Sequence, residues 1–99
     1  MISSLSKFES LNENSVEAIK SEIEFLKNTL EVLRATNEIS NDAFLQTGSI
    51  QGGLSMILNL LSQGIDMEEA SSQMDMLMDR AMALENSYPG LDSVIESKR

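Results

Sequence analysis

The chain has 99 residues, 7 of them basic and 16 acidic, for a net charge of −9, with 41% hydrophobic residues and no histidine, cysteine or tryptophan. That balance argues against direct nucleic-acid binding, which needs a basic track along the phosphates, and against an anionic membrane surface. Without histidine or cysteine the usual catalytic triads and dyads are ruled out, and there is no disulfide framework.

At the N-terminus, residues 1–13 read as an arm with a short helical turn, because Leu5, Phe8 and Leu11 fall at i, i+3, i+6 and can fold back. Ser4-Leu5-Ser6-Lys7 has S-x-x-K spacing, but the chain lacks the remaining motifs of the serine β-lactamases and the match is chance. No apolar signal core follows Lys7, and the apolar runs are shorter than the ~20 residues a membrane span needs. A soluble, cytoplasmic protein with no membrane partner is the expectation.

Residues 14–99 read as one helical domain. From Val16 the sequence falls into sevens, with Val16, Ile23, Leu30 and Asn37 at a and Ile19, Leu26, Leu33 and Ser40 at d. Glu17, Glu24 and Glu31 each precede a cation by three residues, a solvated ladder. Ala18, Phe25, Val32 and Ile39 at c form a second apolar seam, which predicts two neighbours for this helix. Asn12 or Asn14 is a fitting cap, and the spacing predicts a helix over 15–46, broken at Thr47-Gly48-Ser49. Asn37 and Ser40 mark where the seam ends.

Next comes GGLSMILNLLSQG, with glycines on both sides of an oily stretch read as a short helix over 53–63. Leu54, Met56, Ile57, Leu58, Leu60 and Leu61 represent ~10 kcal/mol of burial, comparable to the stability of a whole small domain. A hairpin of two long helices cannot cover a helix that is oily on nearly every side, so a homo-oligomer, dimer or higher, is predicted. Gly48, Ser49, Gly52 and Gly53 form a candidate loop for a small anion ahead of that helix. No Lys-Ser/Thr follows and no strand precedes, so it is not a P-loop.

Gly64 is placed to end the oily helix and Asp66 to cap the next, over 66–88, with Met67, Met74 and Ala81 at a and Ala70, Leu77 and Leu84 at d. Pro89-Gly90 ends it, and 91–97 is a last short helix. Asp75 and Asp79 stand at i, i+4 but match no di-iron or EF-hand pattern, so no metal and no cofactor is implied. Met74, Met78 and Met82 belong to a dense methionine group, a pliable side chain suited to adaptable surfaces. Tyr88-Pro-Gly-Leu-Asp92 resembles the Tyr-x-x-x-Asp/Glu that follows the second helix in WXG-type secretion substrates. Thr47-Gly48-Ser49 stands where that family has Trp-x-Gly, and the family is not assigned.

The expected fold is therefore all-α: a helical hairpin or bundle of heptad-patterned long helices, assembled as a homo-oligomer. The expected function is non-enzymatic: an acidic interaction protein that binds, holds or inhibits a protein partner, as secretion chaperones and small phage-encoded inhibitors do. Leu54, Ile57, Leu58, Leu60, Leu61, Met74, Met78 and Met82 are the candidate contact residues. A small-ligand-binding or sequestering oligomer and a purely structural assembly component are the alternatives.

Overall fold

The computed structural model describes residues 1–64 and 66–99. It is all-helical among them: α1 is Ile2–Ser6, α2 Ser15–Ala35, α3 Asn41–Ser62, α4 Met67–Ser87 and α5 Leu91–Glu96. The packing closes a ring, with α2 on α3, α3 on α4, α4 on α1, α1 on α5 and α5 back on α2. The body measures 39 × 22 × 18 Å.

The helix expected over 15–46 is two helices. Asn37 adopts a left-handed backbone, φ 61°, which asparagine tolerates better than other residues with a Cβ. The Asn37 N–H donates to Arg34 O and the Glu38 N–H to Leu33 O, the pair of bonds that closes a Schellman motif. Ser40 then caps α3 by accepting from the Ala43 N–H at 3.1 Å. The seam does end at these residues, but the chain turns there and starts again.

The breaks expected at Thr47–Ser49 and Gly52–Gly53 are absent, and the oily stretch is the second half of α3 rather than a separate helix. Thr47, fully buried, satisfies its hydroxyl on its own helix by donating to Ala43 O at 2.9 Å. At Gly53 an added Cβ would stand 2.6 Å from Leu77 Cδ1, so the missing side chain lets α4 lie close against α3.

This continuity lets one copy cover part of the oily segment. Leu54 and Ile57 are buried within the single chain, and Leu58 and Leu61 are half-buried against the core. Leu60 is also half-buried, while Met56 faces out. Set into a longer helix between α2 and α4, the segment is amphipathic.

On α2 the buried stripe is Ile19, Leu26, Leu30 and Leu33 with Ser15, Glu22 and Thr29, rotated from the a/d seam toward g. The second seam is not a continuous apolar contact. Ala18 and Val32 are exposed, and Phe25 is half-buried beneath the Arg99 guanidinium, 4.0 Å from its ring centroid. Two rungs of the charge ladder are present as ion pairs, Glu17–Lys20 and Glu31–Arg34.

The ends fold in as the apolar spacing suggests. Leu5 and Phe8 are buried and Leu11 half-buried. The Met1 ammonium pairs with Asp92 at 2.9 Å, and the Ser3 backbone N–H donates to the same carboxylate oxygen at 2.8 Å. Burial raises the Asp92 pKa, but these donors outweigh it and hold the carboxyl at about 2. Glu22, 4% exposed, accepts from Lys7 and from Arg99. Here too desolvation is overcome, by hydrogen bonds from Arg99, Ser4 and Lys7, and the pKa is lowered. Ser4 and Lys7 of the S-x-x-K match thus serve packing.

Candidate functional site

Around Gly53 and Leu77 the antiparallel pair α3–α4 presents a shallow groove to solvent. Along one stretch it is lined by Gly52, Gly53, Met56, Ile57, Met76 and Leu77. Arg80 crosses it from α4 and donates to Ser49 Oγ, dividing this stretch from one beside Gln46, Ala83 and Ser87. At the far end the Tyr88 hydroxyl donates to Asp42 at 3.0 Å and accepts from Gln46 at 3.2 Å. Desolvation, then the neighbouring Asp42 carboxylate, raises the Tyr88 pKa, so the phenol stays protonated and keeps donating. Tyr88 and Asp92, the residues of the Tyr-x-x-x-Asp spacing, are both engaged within the fold.

The structure sorts the predicted contact residues by depth. Leu54, Ile57 and Met74 are core. Leu58, Leu61 and Met78 are half-buried and pack on that core. Leu60 is half-buried, and of these residues only Met82 is exposed, at 51%. The methionines thus divide by helical position: Met74 turns in, Met78 bridges core and solvent, and Met56, Met67, Met76 and Met82 face out.

Gly48, Ser49, Gly52 and Gly53 do not form a loop. They lie inside α3, where their backbone N–H groups belong to the helical ladder and are not free to cradle an anion. Gly48 and Gly52 nevertheless open to solvent, and an added Cβ at either would meet nothing within 4 Å.

Three surface residues escaped the sequence reading. Leu45, 62% exposed, falls in the last turn of the helix expected over 15–46 and carries no signal of its own there. Arg80 is the sole cation between Arg34 and Lys98, a signal visible in the sequence. Asp42 gains its role only through Tyr88, far along the chain.

The outer face of α4 carries a different chemistry. Glu68, Asp75 and Asp79 are exposed, and at 100° per residue they share one side of the helix. Met76 flanks that line on one edge and Met82 on the other, both more than half exposed. α4 holds five acids and one base, and the base is turned toward Ser49. Among the described residues no three acidic side chains stand close enough to hold a metal ion, and no helix is long and apolar enough to cross a membrane.

No family model matches the chain, and neither the curated proteins nor the solved structures give a significant match.

Proposed function

We propose that this chain is a non-enzymatic, acidic helical protein that acts by holding another macromolecule, and that the element held is a cationic amphipathic segment of a protein partner. The observation that carries the reading is the outer face of α4, where exposed Glu68, Asp75 and Asp79 run between exposed Met76 and Met82. Thioethers adapt to irregular apolar surfaces, and carboxylates beside them draw in lysines and arginines. A helix laying its apolar side on the methionines would set its basic edge on the acids. The lack of histidine and cysteine supports a role without catalysis.

Titration calorimetry with a synthetic helical peptide of leucines and lysines tests the proposal. Saturable binding that weakens as salt rises is expected. Asp75→Asn with Asp79→Asn, and separately Met76→Ser with Met82→Ser, should each weaken it at least about tenfold, or ~1.4 kcal/mol. Glu17→Gln with Glu24→Gln removes the same charge from α2 and should change affinity little. Equal losses from the α2 and α4 variants would reduce the effect to net charge and overturn the assignment.

A further inference from the structure

All three long helices expose one side, and α3 alone exposes a side with no charge of its own, the charge that reaches it being Arg80 of α4 at Ser49. α2 shows Glu17, Glu24 and Glu31 to solvent, and α4 shows Glu68, Asp75 and Asp79. α3 has Asp42 in its first turn and then no charged residue from Ala43 to its end at Ser62. This neutral side is not simply polar. Leu45 and Met56 are each 62% exposed, and between them Gly48, Ser49 and Gly52 leave the helix backbone thinly covered. Glycine inside an exposed helix costs ~1 kcal/mol relative to alanine. At Gly48 and Gly52 nothing within the chain would obstruct a Cβ, so the fold itself does not require that cost.

We infer that the neutral face of α3 is a self-association surface, on which α3 of a second copy crosses antiparallel about a two-fold axis. A two-fold interface requires a patch that is complementary to itself when the chain direction is reversed. Leu45, Ser49, Gly52 and Met56 follow one another at i, i+4, i+7 and i+11, on one side of the helix. Read in either direction, the order is large, small, small, large. An axis midway between Ser49 and Gly52 sets Leu45 against Met56 of the partner subunit, and Ser49 against Gly52 of the partner subunit. The small central residues let the two backbones approach, as they do where helices cross closely elsewhere.

Charge selects the occupant. Two chains of net charge −9 repel each other, and screening over ~8–10 Å at moderate salt weakens that repulsion only where acids are absent from the contact. The neutral face is the surface on which a like-charged copy meets least opposition. A basic partner would be drawn to α2 or α4 instead, since a face without acids, with Arg80 at Ser49, gives it no electrostatic gain.

Sedimentation velocity from low micromolar to millimolar protein, at low and high salt, tests this. A reversible dimer that tightens as salt rises is expected, opposite in sign to the salt response of the peptide bound to α4. Leu45→Lys alone and Met56→Glu alone should each weaken the dimer at least about tenfold, ~1.4 kcal/mol. Combined, they should recover most of the loss, because the two positions meet across the axis. Gly52→Ala should raise the thermal midpoint of the monomer while weakening the dimer. Circular dichroism confirms that each exposed-site variant keeps its helices. A monomer at every concentration and salt, or a dimer indifferent to all three single changes, overturns the inference. A dimer weakened by the single changes but not rescued by their combination overturns the antiparallel register. Loss of peptide binding with the dimer intact would count against the α4 proposal alone.

Discussion

α2 and α3 are nearly equal in length and lie against each other, although their heptad and glycine pattern looks like one seam running into a loop. Their inward faces do the same work by different means. α2 buries Ile19, Leu26, Leu30 and Leu33 together with a carboxylate, Glu22, answered by Lys7 and Arg99. α3 buries Ala43, Ile50, Leu54 and Ile57 together with a hydroxyl, Thr47, satisfied on its own helix. Their outward faces have nothing in common: one is a ladder of glutamates and cations, the other is neutral, with glycines and exposed Leu45 and Met56. An inward face is dictated by the core it must fill. The outward faces carry the difference, and with it the case for a second copy meeting α3 and not α2.

The strongest way to break this comparison is in the core. Leu26→Ala on α2 and Leu54→Ala on α3, both fully buried in the native chain, should each cost about 2–5 kcal/mol in urea unfolding. Similar losses support equivalent inward faces. A much smaller loss at Leu54 would mean that α3 is held by something other than the packing of one chain, and the contrast would have to be redrawn.

Acid sharpens the same contrast. Asp92 has a folded pKa of about 2 against an ordinary 3.8, and Glu22 is also lowered. A depressed carboxyl contributes stability above its unfolded pKa and loses it as pH falls through the folded value. For Asp92 the window runs from about pH 4 down to about pH 2, with a loss of about 1–2 kcal/mol after allowance for its partial exposure. Glu22 adds to the loss over the acid range below its ordinary pKa. Both groups tie α1 and α5 to the rest, whereas the buried inward face of α3 contains no titrating group. Hydrogen exchange across this window should show α1, α5 and the first turns of α2 losing protection before the α3–α4 contact around Thr47, Leu54 and Leu77. Simultaneous loss everywhere would make the two sides of the ring a single cooperative unit.

The parts legible in the sequence are those whose boundaries are set by local chemistry. Asp66 caps α4 by accepting from the Glu68 N–H, and Pro89-Gly90 ends it, so the expected 66–88 lies within a residue of Met67–Ser87 at each end. The glycine expected to follow α3 is Gly64, in the left-handed region at φ 69°. The α2–α3 turn is hidden in the sequence because Asn37 and Ser40 occupy a and d positions, where the heptad pattern registers only their lack of hydrophobicity. Their turn and cap chemistry decides the backbone there. α3 is hidden for the opposite reason: its glycines read as breaks, and packing on both flanks outweighs their low helix propensity. The half of the site that depends on which methionines turn outward was likewise beyond reach. Met74 and Met76 have the same chemistry, and only the placement of α4 against α3 assigns one to the core and the other to solvent.

The smallest effects probe α3 at single glycines. Gly48→Ala and Gly52→Ala add a methyl group that meets nothing, so each should raise the stability of the isolated chain by about 1 kcal/mol through helix propensity. Gly53 is adjacent in sequence but faces Leu77, where even a Cβ comes within 2.6 Å of Cδ1. Gly53→Val forces Leu77 or α4 to shift and should cost about 1–3 kcal/mol despite the better propensity of valine. Thermal unfolding at low concentration, where no second copy contributes, measures all three. Opposite signs at neighbouring glycines mean that the inner glycine serves α4 and that the outer two are unused within one chain. If Gly48→Ala and Gly52→Ala prove neutral or harmful there, α3 already needs those glycines on its own, and the outward face loses its claim to be reserved for contact with a second copy.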